Sequence, residues 1–468
     1  MHPFSSTDGY VTTVDPATGL DLARHDLWTG EQVEAALDRA SQRWPGWRSM
    51  PLYERIAAVA RAADAIEAAA DPMAAILTAE MGRPTGPARA EIAKCATAIR
   101  YLCSIAADRL APRTVDGADD GETARLRSDP LGPILGIMPW NFPYWQSIRF
   151  LIPALLAGNT ILLKPAPSTI GSGLALQAAF DAAGLGDGIV TTLPISVEPV
   201  AALIADPRVH GVSLTGSVRA GRSVGEQAGR HLKKLVLELG GSDPFIVFPD
   251  ADVATAATVA ANARLQNAGQ SCIAAKRFLV HRDVAQEFTD AMVAAFDAAV
   301  VGDPRAYGVQ YGPLATEAAL TTIVEQVDRS VAAGAVVRTG GHRLDRPGFF
   351  FAPTVLTDVP DSAPCWRDEV FGPVAPVKVF DDIAGLIAVV NASEYGLGAS
   401  VWTSDPAVVG TLSGQLEVGQ VFVNGMVASD ARYPFGGVKD SGFGRELGDA
   451  GFGEFVNLKL VREFGPPR

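Results

Sequence analysis

The chain has 468 residues, of which 48% are hydrophobic and 19% charged, and its formal net charge is −13. That length exceeds one simple core, so roughly two or three domains are expected, and the composition excludes general disorder. The acidic balance disfavours nonspecific binding to nucleic acid or an anionic membrane, and it leaves any anionic substrate dependent on a local cation.

In chain order, Met1-His2-Pro3-Phe4 lacks the basic and apolar regions of a signal peptide. Residues 10–25 hold a turn cluster at Val14-Asp15-Pro16-Ala17-Thr18-Gly19. From Thr29 to about Ala111 the apolar spacing is helical and reads as scaffold, with Thr29 and Gln32 placed as a cap. Residues 112–130 are polar and alternate at Thr123–Arg127, which predicts an exposed strand; Phe455–Val461 predicts another. Isolated two-stranded ribbons are rarely stable, so projection of both onto a partner subunit is expected. Between them, strands at Pro133–Pro139, Thr160–Lys164, Val190–Leu193, Gly211–Thr215 and Lys234–Glu238 alternate with helical patterns. A second series follows at Pro244–Phe248, Arg277–Val280, Ala375–Phe380, Leu397–Trp402 and Gln420–Val423. Two parallel α/β sheets are predicted, hence two domains with a ligand crevice between them. The longest apolar run, Leu151–Leu163, contains Pro153, Gly158 and Asn159 and is too short to span a bilayer.

Candidate chemistry centres on two runs, Leu237-Glu238-Leu239-Gly240-Gly241 and Asn267-Ala268-Gly269-Gln270-Ser271-Cys272, with the acid and the thiol 34 residues apart. Glycine lets a ligand approach the backbone, a loop cysteine presents a nucleophile, and a nearby glutamate serves as base. The other cysteines, Cys95, Cys103 and Cys365, form no Cys-x-x-Cys pair, and the six histidines do not cluster with them, so no metal site and no disulfide framework are expected. Pro139-Trp140-Asn141-Phe142-Pro143 follows an apolar strand and aims an amide at a fixed point. Gly216-Ser217 at a strand-to-helix turn offers N–H groups and a hydroxyl to a phosphate. Lys164 ends a strand, where it suits a ribose hydroxyl.

Together these runs resemble the aldehyde dehydrogenase superfamily from about Tyr10 to the C-terminus, most closely its bacterial succinate-semialdehyde dehydrogenase branch. The resemblance implies an aldehyde dehydrogenase-like α/β fold: two Rossmann-like domains and a small β oligomerisation arm. Residues 1–111 and 131–238 would bind the dinucleotide, 239–445 would form the catalytic domain, and 112–130 with 446–468 the arm of a homodimer or homotetramer. It makes Cys272 the nucleophile, Asn141 an oxyanion donor with the Cys272 N–H, and Glu238 the base that activates water. That base argues against acyl transfer to coenzyme A. Trp140, Lys164, Pro167, Gly216, Ser217, Leu239, and Glu369 and Phe371 of Glu369-Val370-Phe371-Gly372-Pro373 become cofactor residues. Pro167 stands where an acid selects NAD and a small hydroxyl residue tolerates NADP; it does neither, so the cofactor is NADP or NAD, with a slight lean to NADP. Arg149, eight residues after Asn141, and Ser429 would hold a distal carboxylate, Trp145 would wall the carbon chain, and a structural salt bridge is the alternative role for Arg149. Ala274 replaces a second cysteine found in some relatives, so no redox disulfide is expected. The implied reaction is oxidation of succinate semialdehyde to succinate in a reducing cytoplasm. Another small aldehyde, or a catalytically idle protein on the same fold, are the alternatives.

Overall fold

A computed structural model describes residues 9–115 and 122–464; Met1–Phe4 and the parts of the expected arm at 116–121 and 465–468 lie outside the described residues. The helical block resolves into Gly30–Ser49, Leu52–Ala68, Ala70–Met81 and Thr85–Leu110. It begins at the expected cap. The Gln32 N–H donates to Thr29 Oγ1 at 3.3 Å, and the Thr29 N–H donates to Gln32 Oε1 at 2.8 Å, a reciprocal box of the kind whose cap is worth about 1 kcal/mol. The turn cluster before it is part of more than a turn. Tyr10–Asp15 pairs antiparallel with Leu20–Asp26, and the Asp15 carboxylate accepts the Ala17 N–H at 2.9 Å between them. Most of Leu20–Asp26 is exposed, so it carries no clean inward period to read.

Both expected sheets form. One has six strands in the order Gly442–Phe443, Lys234–Glu238, Gly211–Thr215, Pro133–Ile137, Thr160–Lys164 and Val190–Thr192, parallel except for the first. The other has seven, Val336–Thr339, Thr354–Thr357, Val374–Phe380, Ala275–His281, Asp243–Val247, Gly398–Trp402 and Gln420–Val423, again parallel except for the first. The inner strands are buried along almost their whole length, as parallel strands covered on both faces require. Arg113–Thr114, Glu122–Pro130 and Val456–Phe464 form a separate antiparallel sheet whose Leu458, Leu460 and Phe464 side chains are exposed. Before that last strand, the helix Gly448–Glu454 packs on Thr85–Leu110 and Pro143–Ala157, so the tail is tied to the body before it enters the arm. Among the described residues no helix is long and apolar enough to cross a membrane.

Candidate active site

The six-stranded sheet starts at Pro133–Ile137, builds outward to Val190–Thr192, then resumes on the opposite side at Gly211–Thr215. Loops leaving the strands at such a reversal diverge and open a crevice. Here they carry Pro139-Trp140-Asn141 and Gly216-Ser217, which line one cavity with Leu239, Gly240, Glu369, Phe371 and Cys272. Ser217 Oγ accepts the Ala220 N–H at 3.2 Å and caps the helix Val218–Arg230, so that helix points its positive end at the crevice. Trp140 and Phe371 meet edge to face with ring centroids 5.7 Å apart. Glu369 Oε1 accepts the Gly241 N–H at 3.0 Å and lies 3.5 Å from Lys276 Nζ. Lys164 is buried at the end of its strand and donates to the Pro165 carbonyl at 3.1 Å; burial lowers its pKa to about 8. Lys164 and Pro167 do not line the crevice cavity itself.

The thiol loop is built from unusual backbone. Asn267, Ala268 and Gly269 have φ of 57°, 54° and 75°, a left-handed run between the helix Val253–Leu265 and the strand Ala275–His281. Asn141 Nδ2 donates to the Gln270 carbonyl at 3.0 Å, and Asn267 Nδ2 returns a bond to the Asn141 carbonyl at 3.1 Å. Lys276 Nζ donates to the Ser271 and Cys272 carbonyls at 2.8 and 2.7 Å. A Cβ on Gly241 would stand 2.6 Å from the Cys272 carbonyl, so the two glycine-rich runs of the sequence meet backbone against backbone. Cys272 is partly exposed and, with Gln146, is shared by the crevice and by a second cavity on the other side. Burial pushes its thiol up to about 11, against the pull of Arg149 and Lys276.

The second cavity runs from Cys272 past Phe142, Trp145 and Val427 to Ser429. Trp145 Nε1 donates to Ser429 Oγ at 3.2 Å, so two of the expected substrate residues meet. Arg149 lines the cavity but is only 2% exposed. Its Nε donates to Glu446, its Nη2 reaches Thr215 Oγ1 at 3.4 Å, and its guanidinium lies 4.2 Å over the Phe435 ring. The salt bridge weighed as the alternative to carboxylate binding is therefore present. Glu238, 2% exposed at the end of its strand, lines neither cavity. Its carboxylate packs against Gly436, and neither oxygen has a hydrogen-bond partner among the described residues. Burial raises its pKa well above the usual carboxylate range, opposed by Arg149 and reinforced by Glu446.

Three charged side chains of this cavity are not foreseen from the sequence: Arg83, Glu91 and Lys94, all from the helical block that reads as scaffold. Glu91 accepts the N–H groups of Tyr144 and Trp145 at 3.1 and 3.0 Å and pairs with Arg83. Lys94 Nζ donates to the Ser429 carbonyl at 2.5 Å and sits 4.0 Å from the Trp145 ring centroid.

Residues 4–461 match the sequence pattern described as "Aldehyde dehydrogenase family". The chain belongs to that family. It is 46% identical over 452 residues to an NADP(+) succinate-semialdehyde dehydrogenase of Mycobacterium tuberculosis (strain ATCC 25618 / H37Rv), covering 96% of this chain and 99% of the relative. A probable NADP(+) succinate-semialdehyde dehydrogenase of Synechocystis sp. is 46% identical over 451 residues, with the same two coverages of 96% and 99%. Among solved structures, succinic semialdehyde dehydrogenase from Streptococcus pyogenes in complex with NADP+ superposes with a TM-score of 0.93 at 35% identity, over 96% of this chain and 99% of that one.

This aldehyde dehydrogenase is thus an NAD(P)-dependent oxidoreductase acting on aldehydes. Its crevice offers what a dinucleotide needs: a helix N-terminus, a hydroxyl, and a Gly240 whose missing side chain leaves room for Glu369, since a Cβ there would stand 2.5 Å from Glu369 Oε2. Cys272 lies where the two cavities meet and lines both of them.

Proposed function

We propose that the enzyme oxidises succinate semialdehyde to succinate, with Cys272 as nucleophile, Asn141 as oxyanion donor and Glu238 as general base. The sulfur adds to the carbonyl carbon. A thiol held near 11 carries its proton at neutral pH, so the proton leaves for a base, and the raised pKa of Glu238 suits that carboxylate to take it. Asn141 Nδ2 spends one hydrogen on the Gln270 carbonyl and turns the other, with the Cys272 N–H, to the developing oxyanion; such donors are worth roughly 3–4 kcal/mol in the transition state. A nicotinamide held in the crevice would supply the hydride acceptor by which the Cys272 adduct becomes a thioester. Glu238 next releases the thiol proton to solvent and, again a carboxylate, draws a proton from water; the water attacks the thioester, and the acid departs from the regenerated thiolate. To do this, Glu238 swings from its seat on Gly436 towards Cys272, a rotation that breaks no hydrogen bond among the described residues.

Trp140, Gly216, Ser217, Leu239, Glu369 and Phe371 would hold the cofactor in the crevice, with Lys164 and Pro167 at the adenosine end. The lack of a carboxylate at Pro167 supports acceptance of NADP, the cofactor named for the M. tuberculosis and Synechocystis relatives. Trp145 and Ser429 would bind the substrate beyond the reacting carbon, beside an Arg149 that is already paired with Glu446. The division into residues 1–111 with 131–238, 239–445, and 112–130 with 446–468 is supported by the six-, seven- and three-stranded sheets, except that Gly442–Phe443 joins the six-stranded sheet and the helix Gly448–Glu454 packs on the body; the exposed apolar edge of the arm supports a homodimer or homotetramer. A cytoplasmic location accords with four unpaired cysteines.

The observation that carries the reading is Cys272 shared between the crevice and a cavity that ends at Trp145 and Ser429. The test is a panel of succinate semialdehyde, butanal and benzaldehyde with NAD and with NADP, read by reduced-cofactor absorbance. A kcat/KM for succinate semialdehyde no higher than for butanal would remove the substrate assignment. No turnover of any aldehyde would remove the catalytic one.

A further inference from the structure

Three cations line the cavity that opens on Cys272: Arg83, Arg149 and Lys94. Two of them are neutralised. Arg83 is buried against Glu91, and Arg149 against Glu446. A buried cation with its own carboxylate offers an incoming anion little net charge. Lys94 differs. Among the described residues it forms no ion pair; its contacts are the Ser429 carbonyl at 2.5 Å and the face of Trp145 at 4.0 Å. An ammonium has three N–H donors and one is used, so two remain. Lys94 also lines the adjoining cavity with Tyr101, Asp430 and Arg432, which puts it where the cavity leading to the thiol meets the outer one. Beside it, Ser429 Oγ accepts from Trp145 and keeps its own O–H to donate.

We propose that Lys94, with the Ser429 hydroxyl, receives the distal carboxylate of the substrate and so selects carboxylated over neutral aldehydes. The proposal rests on the preceding reading of this cavity as the seat of a carboxylated aldehyde. It adds a residue from the helix Thr85–Leu110 and gives Arg149 a different part: paired with Glu446, that side chain acts on the field around Glu238 and Cys272. A charge-assisted hydrogen bond to a carboxylate is stronger than its neutral counterpart, and the net charge of −13 gives an anion no help from a distance.

The test uses the full-length enzyme and three variants. Lys94→Gln keeps a donor for the Ser429 carbonyl and removes the charge; Lys94→Met keeps the stem alone; Lys94→Arg keeps the charge. KM and kcat are measured for succinate semialdehyde and butanal. The expected result is a rise of about tenfold or more in KM for succinate semialdehyde in the Gln and Met variants, with kcat held within about twofold and butanal unchanged, and with Lys94→Arg retaining most of the preference. A succinate semialdehyde KM within about twofold of wild type in whichever uncharged variant folds, or parallel losses on both aldehydes, overturns the proposal. A wild-type enzyme with no preference for the carboxylated substrate is a separate result: it sinks the substrate reading itself, before any variant is compared.

Discussion

Glu91→Ala asks whether the turn that carries Asn141 is held from outside. The helix Pro143–Ala157 begins at Phe142, which provides no side-chain cap, so its first N–H groups need acceptors from elsewhere. Glu91 supplies one oxygen to the N–H groups of Tyr144 and Trp145 and the other to Arg83, whose guanidinium lies 4.5 Å over the Phe142 ring. Hydrogen bonds to a charged group contribute about 1.5–3 kcal/mol each, and stranding one partner of a buried ion pair costs about 3–5 kcal/mol. Both losses come from one carboxylate and overlap, so the expected destabilisation is about 4–5 kcal/mol. Urea unfolding of wild type, Glu91→Ala and Arg83→Met/Glu91→Ala measures it, and the double variant recovers part of the loss because no cation is left stranded. Asn141 is the residue before Phe142, so kcat falls as well, towards the roughly 10²–10³-fold that loss of an oxyanion donor costs. A single variant within about 1 kcal/mol of wild type, with kcat intact, would show that the helix start is set by its own packing and would refute the reasoning.

Asn141→Ala should lower kcat by about 10²–10³-fold while leaving the thiol loop folded, since Asn267 also bonds the Gln270 carbonyl; rapid-mixing kinetics would place the loss in acylation. Glu238→Gln should cut the deacylation rate by about 10²–10⁴-fold. In wild type, protonated Glu238 cannot take a proton from water, so deacylation falls as pH falls, along a limb above the usual carboxylate range because burial raises that pKa; a limb at ordinary glutamate values would contradict this. Burial holds the Lys94 ammonium down to about 8, with Cys95, Glu91 and Asp430 raising it and Arg149 lowering it. The charged form is the low-pH form, so kcat/KM for succinate semialdehyde should decline above about pH 8 relative to butanal; profiles that track each other would count against the role given to Lys94. Pro167→Glu should weaken NADP by about tenfold and NAD far less, through repulsion of the 2′-phosphate; equal losses would mean that position does not face the ribose.

The parallel strands were legible because each is a short apolar run closed by a turn, a pattern that burial on both faces imposes. Thr160–Lys164, Gly211–Thr215 and Lys234–Glu238 begin and end where the pattern does, whereas Pro133–Ile137 stops two residues early because Pro139 and Trp140 leave the sheet to line the crevice. The Thr29–Gln32 cap was legible because its bonds span only three residues. What stayed hidden depends on contacts distant in sequence. Nothing within the helix Thr85–Leu110 distinguishes Glu91 and Lys94 from solvated charges; their partners lie 53 and 335 residues away. Arg149 was placed correctly on its helix, but Glu446, 297 residues on, takes its Nε. Glycine is the exception that links the two kinds of information. Gly241 reveals by its missing side chain that another backbone comes close, and that backbone proves to be the carbonyl of Cys272. The glycine-rich runs thus pointed to the site from sequence alone, while the charges that tune it became visible only once the chain was folded.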